Sequence, residues 1–131
     1  MKLYLDCVRE VLLAVENLKM NESLNINRLS EKIPSFSAED IEYTCLKLEE
    51  AGYINATFVS MAGAYLPGLK GVYDITYNGH EFLNAIREPT RWEQVKTSAA
   101  KIGSFSLETA AEIARNLITA AIPSVLQSVL K

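Results

Sequence analysis

Leu48-Glu49-Glu50-Ala51-Gly52-Tyr53-Ile54, followed about twenty residues on by Ile75-Thr76-Tyr77-Asn78-Gly79-His80-Glu81-Phe82-Leu83, decides how this chain is read. The first run reads as a helix end, closed by a glycine and continued as a strand. The second reads as a strand that turns directly into a helix. Between them Gly63 to Gly71, with Pro67-Gly68 inside it, has the composition of a hairpin tip. Two short helical patterns lie upstream, so the order is helix, helix, helix, hairpin, helix. That order defines the expected fold class: α+β, mainly α, a winged helix-turn-helix core with a two-stranded wing and additional C-terminal helices. Such scaffolds commonly set one helix into the major groove of DNA. The helix in that position here is acidic.

Periodicity supplies the upstream elements. Asp6 is the expected N-cap of a helix whose Val8, Val11, Leu12, Val15 and Leu18 recur every three or four residues as far as about Met20. Leu24 and Ile26 alternate as a very short strand would. A second helix from Asn27 to about Ile33 buries Leu29 and Ile33, and Pro34 ends it. Ser37 caps the third helix, with Glu39 and Asp40 at the positive end of its dipole. Ile41, Cys45 and Leu48 face inward, which turns Glu39, Asp40, Tyr43, Lys47 and Glu50 outward. Ile54 to Val59 and Val72 to Thr76 are the expected wing strands. Asn78 to Arg87 forms the next helix, with Phe82, Leu83 and Ile86 inward and Pro89 closing it.

The expected division is 1–88 for the winged helix-turn-helix domain and 89–131 for a helical extension serving oligomerisation or packing back on the core. In the extension, Arg91 to Ile102 puts Trp92, Val95, Ala99 and Ile102 on one side. Ser106 then caps a long helix whose face is Leu107, Ala110, Ala111, Ala114, Ile118, Ala121 and Ile122. Pro123 is expected to kink or stop that helix, leaving Ser124 to Leu130 as a last turn or two.

Composition bounds the function. The 131 residues carry a formal net charge of −3, which gives no global attraction to phosphate. Charge is uneven: residues 1–60 hold six Lys/Arg and ten Asp/Glu, whereas residues 91–131 hold five and three. Cys7 and Cys45 have no C-x-x-C spacing, and the N-terminal Met1-Lys2-Leu3-Tyr4-Leu5-Asp6 lacks the apolar core of a signal peptide. Both point to a reducing cytoplasm with free, packed thiols. The glycosylation patterns Asn21-Glu22-Ser23 and Asn55-Ala56-Thr57 carry no meaning there.

The chain resembles, over nearly its full length, a family of small hypothetical proteins of bacteria and their prophages that share a domain of unknown function. The resemblance lies in Leu48 to Ile54, in Asp74-Ile75-Thr76-Tyr77-Asn78-Gly79-His80-Glu81-Phe82-Leu83 with Ile86-Arg87, and in Trp92 followed by Lys101-Ile102-Gly103-Ser104-Phe105-Ser106. The last set is the most specific, since Leu-Glu-Glu-Ala-Gly recurs across many winged helices. The resemblance implies a phage-associated winged helix. It implies no activity, and no functional residue carries over.

As a DNA reader, the third helix offers Tyr43 and Lys47, with Arg28 on the second helix and Lys70 at the wing tip. These make about four favourable contacts, against the roughly six to ten phosphate contacts of a strongly salt-dependent binder. Glu39, Asp40 and Glu50 oppose them. The equally weighted alternative is an acidic, solvated helix on a scaffold used for protein contacts. The long C-terminal helix is too apolar to stand alone. Pairing with a second copy is favoured over packing on its own domain and over a membrane surface. A span is disfavoured by Arg115, Asn116, Thr119, Pro123, Ser124 and Gln127. His80, the only histidine, reads as a surface or capping group. Cys7, Cys45 and His80 sit on separate elements without paired metal-ligand spacing, so no metal, no cofactor and no enzyme is expected. The glycine-rich loop has no Ser/Thr after Lys70 and no strand-to-helix context, so it is a wing and not a phosphate loop. Tyr65 and Leu66 are apolar for a tip and either pack down or meet a partner.

These features lead to a cytoplasmic, dimeric, phage-type transcriptional regulator or accessory factor that binds double-stranded DNA weakly. The alternative keeps the scaffold and replaces DNA with a host or phage protein, the acidic helix serving as docking surface.

Overall fold

The structure, a computed structural model, describes residues 1–130. Among these residues the chain forms six helices and one two-stranded antiparallel sheet, a mainly helical α+β protein. Helix α1 (Leu5–Glu16) buries Leu5, Cys7, Val8, Val11, Leu12 and Val15 along one stripe. Tyr4 is its N-cap and makes no side-chain capping bond, so the helix starts two residues before the Asp6 cap expected and Asp6 lies in the first turn. A carboxylate is favourable there beside the positive end of the dipole. The helix stops at Glu16, short of Met20, and Asn21 soon takes a positive φ of 70°.

Leu24 exchanges two backbone hydrogen bonds with Val72, of 2.8 and 2.9 Å, and forms a single isolated bridge. The expected short strand is no longer than that, because Ile26 already belongs to α2 (Ile26–Lys32), capped by the Asn25 side chain accepting the Arg28 N–H at 2.9 Å. Helix α3 (Ala38–Glu50) starts on Ser37, whose hydroxyl accepts the Asp40 N–H at 3.1 Å. Ile41, Thr44, Cys45 and Leu48 are its buried face. Thr44 keeps its hydroxyl satisfied by donating to the Asp40 carbonyl at 2.7 Å. At the far end Gly52, with φ 79°, turns the chain. The Gly52 N–H bonds the Glu49 carbonyl and the Tyr53 N–H bonds the Leu48 carbonyl, a Schellman closure.

Strands β1 (Ile54–Val59) and β2 (Gly68–Ile75) pair from Ile54↔Ile75 to Val59↔Gly68. Eight residues of β2 oppose six of β1, so two are extra. Tyr73 is skipped between the Asn55↔Asp74 and Ala56↔Val72 pairs, and Lys70 between Thr57↔Gly71 and Phe58↔Leu69. Both skipped residues are exposed and sit at bulges, which twist the ribbon. Sequence alternation therefore loses register, and β2 begins four residues earlier than expected. The connecting loop is 60–67, and Lys70 lies inside the strand instead of at the tip.

Thr76 joins sheet to helix. Its hydroxyl donates to the Gly52 carbonyl and accepts the Gly79 N–H at 3.0 Å, while its own N–H bonds the Tyr53 carbonyl at 3.0 Å. Helix α4 (Tyr77–Ile86) thus starts directly against the end of α3, with Phe82 stacked on Tyr53 at a centroid distance of 5.0 Å.

By contacts the chain falls into two compact units, Met1–Leu83 and the residues from Asn84 on, so the contact boundary lies inside α4. In the second unit α5 (Pro89–Ile102) packs on α6 (Leu107–Leu130). Pro89 opens α5 at its first turn as well as following α4, which puts the start before the expected Arg91. Trp92, Val95 and Ala99 are buried; Ile102 is 64% exposed instead of sharing their face, because it is the last helical residue before the chain turns at Gly103. The Ser106 hydroxyl caps α6 by accepting the Thr109 N–H at 3.1 Å. Pro123 lies inside α6 and does not stop it. It removes one backbone donor, that to the Thr119 carbonyl, in a fully exposed stretch.

Two outcomes test this packing. A Cβ on Gly79 would run into the Tyr53 carbonyl and approach Ile75 Cγ1 to 2.8 Å. Gly79→Ala is therefore expected to destabilise the chain by about 1–3 kcal/mol despite alanine's better helix propensity, measured by urea unfolding. Glu88 caps α5 by accepting the Thr90 and Arg91 N–H groups at 2.9 and 2.7 Å, and those bonds hold its carboxyl below the ordinary range. The folded carboxyl is the stronger acid, so its contribution is complete above the unfolded carboxyl pKa of about 4.3 and is lost as pH falls through the folded value. Thermal melts followed by circular dichroism should lose less stability between neutral and acid pH in Glu88→Gln than in the unaltered chain.

Candidate interaction face on helix α3 and the hairpin

The solvent side of α3 carries Glu39, Glu49 and Glu50 exposed, with Asp40, Glu42, Tyr43, Leu46 and Lys47 half-buried. Lys47 is the one cation of the helix. Its ammonium lies 2.9 Å from Glu50 Oε2 and 5.3 Å from the centre of the Tyr43 ring. The hydrogen bond to Glu50 raises the Lys47 pKa, so it stays charged with that charge already matched. Tyr43 and Lys47 are thus brought together, but as a closed group.

The other two expected DNA contacts lie on separate elements. Arg28, on the exposed side of α2, donates from Nη1 to the Ser23 carbonyl at 3.1 Å and so folds back on its own loop. Lys70 is exposed at the second bulge of β2. Over residues 1–83 the sequence holds seven Lys/Arg and twelve Asp/Glu, so these cations stand in a negative field.

Glu42 was not singled out by pattern, yet it ties α3 to the hairpin: its Oε2 accepts the Leu69 N–H at 3.0 Å. Periodicity assigns it to neither face of α3; the strand partner lies 27 residues away and leaves no local signal. Beside it a groove of about 660 Å³ runs between α3 and the 60–67 loop. Glu39, Glu42, Leu46, Met61, Tyr65 and Leu66 are among its lining. Gly68 matters here, because a Cβ on it would come within 3.2 Å of Met61 Cγ. Tyr65 is wholly exposed at the loop tip.

In the second unit the expected oligomerisation face divides. Ala110, Ala111 and Ala114 are buried, Leu107 and Ile118 are half-buried, and Ala121 and Ile122 are exposed together with Val125, Leu126 and Val129. By length and composition α6 is long and apolar enough to cross a membrane, with 6% of its most apolar window buried. Length and composition alone do not assign it to one.

His80 is exposed in the first turn of α4. No group of three or more His, Cys, Asp or Glu able to hold a metal occurs among the described residues. Cys7 and Cys45 are buried free thiols, and burial pushes the Cys45 pKa up to about 12, which keeps it unreactive.

Fold and face together describe a small, mainly helical α+β protein with an acidic helix beside a hairpin. Residues 2–106 match the family described as Hypothetical protein (DUF2513), and the chain belongs to that family. The match ends one residue before α6 begins. The chain is also 28% identical, over 122 residues, to an uncharacterized protein of Haemophilus influenzae, covering 91% of this chain and 97% of that one. No solved structure matches it.

Proposed function

We propose that the chain is a winged helix-turn-helix protein whose α3–hairpin face binds another protein. The scaffold reading is supported by the order α1, the Leu24 bridge, α2, α3 and hairpin, with α3 in the place a recognition helix would take. The protein reading is carried by one observation: Lys47, the one cation of α3, is held by Glu50 and Tyr43. Binding duplex DNA through α3 requires breaking that pair and bringing three exposed carboxylates against phosphate.

A second reading, a phage-type regulator that binds double-stranded DNA weakly, is favoured by Arg28 and Lys70, exposed on elements flanking α3. Fluorescence anisotropy of a random duplex of about 30 base pairs, titrated across a salt series, separates the two. The protein reading expects no binding at low salt, and no change in Lys47→Glu with Lys70→Glu. Affinity that falls linearly in log–log form with a slope of several units, and that the double change abolishes, overturns it in favour of DNA.

The second unit pairs two copies of the chain in this reading, which would present two docking faces and raise avidity for a repeated partner. Its support is the distal half of α6: Ile118, Ile122, Val125 and Val129 follow at intervals of four, three and four, a self-complementary seam. Ile122→Glu with Val125→Glu alters only exposed positions. Light scattering should then give the mass of one copy where the unaltered chain gives two, at unchanged helicity. An unaltered chain that scatters as a monomer refutes the pairing.

A further inference from the structure

We propose that the groove between α3 and the 60–67 loop takes a cationic, apolar peptide segment of the partner, one in which Lys or Arg flank large aliphatic side chains. The proposal rests on the reading that this face meets protein, and it specifies the chemistry of what is met.

The floor is apolar. Leu46 of α3 and Met61 and Leu66 of the loop all line it, and the two loop residues are 55% and 43% exposed. Large aliphatic groups on a loop tip cost hydration free energy in the free protein, and a partner that covers them recovers it. Met61 is unbranched and polarisable, so it can reshape around different side chains. Tyr65 stands wholly exposed beside them, the residue type most enriched where a few contacts dominate binding. A volume of about 660 Å³ is within the range of sites that enclose a few side chains.

Charge selects among occupants. Glu39 and Glu42 are the only lining side chains charged at neutral pH, and no lining side chain is basic. The Glu42 carboxylate is held in place by the Leu69 N–H at 3.0 Å, so a cation meets an oriented acceptor with little ordering left to do. Phosphate backbones are repelled by the same pair. The exposed distal part of α6 does not fit either, since residues 116–130 contain no Lys or Arg to meet these carboxylates. A basic segment interleaved with aliphatic residues satisfies both the floor and the rim.

The test uses the full chain and two fluorescein-labelled peptides. The probe is three repeats of Arg-Leu-Lys-Met; the control has the same cations with Ser in place of Leu and Met. Anisotropy should show micromolar binding of the probe and at least tenfold weaker binding of the control. Glu39→Gln with Glu42→Gln should weaken the probe at least tenfold at an unchanged thermal midpoint, because glutamine keeps a carbonyl acceptor for the Leu69 N–H. Met61→Ser, at an exposed position, should weaken the probe and leave the control as it was. Equal affinity for the two peptides, indifference to the acid pair, or no probe binding at all would each overturn the proposal. Failure of the probe together with absence of duplex binding removes the groove chemistry while leaving the protein reading intact; duplex binding alone removes the reading.

Discussion

The Thr76 hydroxyl is the joint on which the first unit depends. One oxygen donates to the Gly52 carbonyl at the end of α3 and accepts the Gly79 N–H at the start of α4. It therefore satisfies an orphan group at each of two helix termini, where unpaired backbone is costly. Both neighbours of this joint are glycine, for different reasons. Gly52 turns the chain with a φ of 79°, whereas Gly79 gives way to the Tyr53 carbonyl, which leaves no room for a Cβ. The stacked Tyr53 and Phe82 rings close the same corner. With α3 and α4 held end to end, the hairpin between them has its base fixed, and its tip can then lie along α3.

What lies along α3 is determined by a second tie, Glu42 to Leu69. A carboxylate that accepts a strand N–H is committed to structure, yet it remains an anion at the edge of a groove. The same helix matches its single ammonium to Glu50 within one turn. Exposed ion pairs of this kind contribute little stability, but the pairing changes what the surface offers. The helix presents carboxylates in excess, and the hairpin supplies aliphatic side chains beside them. A scaffold of the winged-helix kind does not by itself entail nucleic acid; the site's chemistry decides.

Local physics was legible from sequence wherever one residue acts on its own neighbours. Ser37, Ser106 and Gly52 mark helix ends because capping is settled within four residues. The stripe of α1 and the inward face of α3 follow from periodicity, since burial on one side is all the pattern must encode. The misses are non-local. The bulges at Lys70 and Tyr73 depend on what β1 presents opposite, so alternation placed the start of β2 four residues late and Lys70 at a tip it does not occupy. Glu42 falls in neither face that periodicity assigns, because its strand partner is distant in sequence. Pro123 does not stop α6, and Ser124 to Leu130 stay helical as expected: a proline costs a helix one hydrogen bond and a clash with the preceding turn, and an exposed stretch accommodates both.

The long helix α6 divides by what covers it. Through Ala114 its small residues are buried and α5 packs on it; Leu117 and Ile118 are half-buried, and residues 119–130 are exposed. The exposed part, residues 119–130, carries no Lys, Arg, Asp or Glu. A helix lying on a lipid surface normally carries cations along its polar side, and residues 116–130 show Asn116, Thr119, Ser124, Gln127 and Ser128 instead. A neutral polar side and an uncharged apolar seam are compatible with an identical helix opposite, where like charges would otherwise face each other across a symmetric contact.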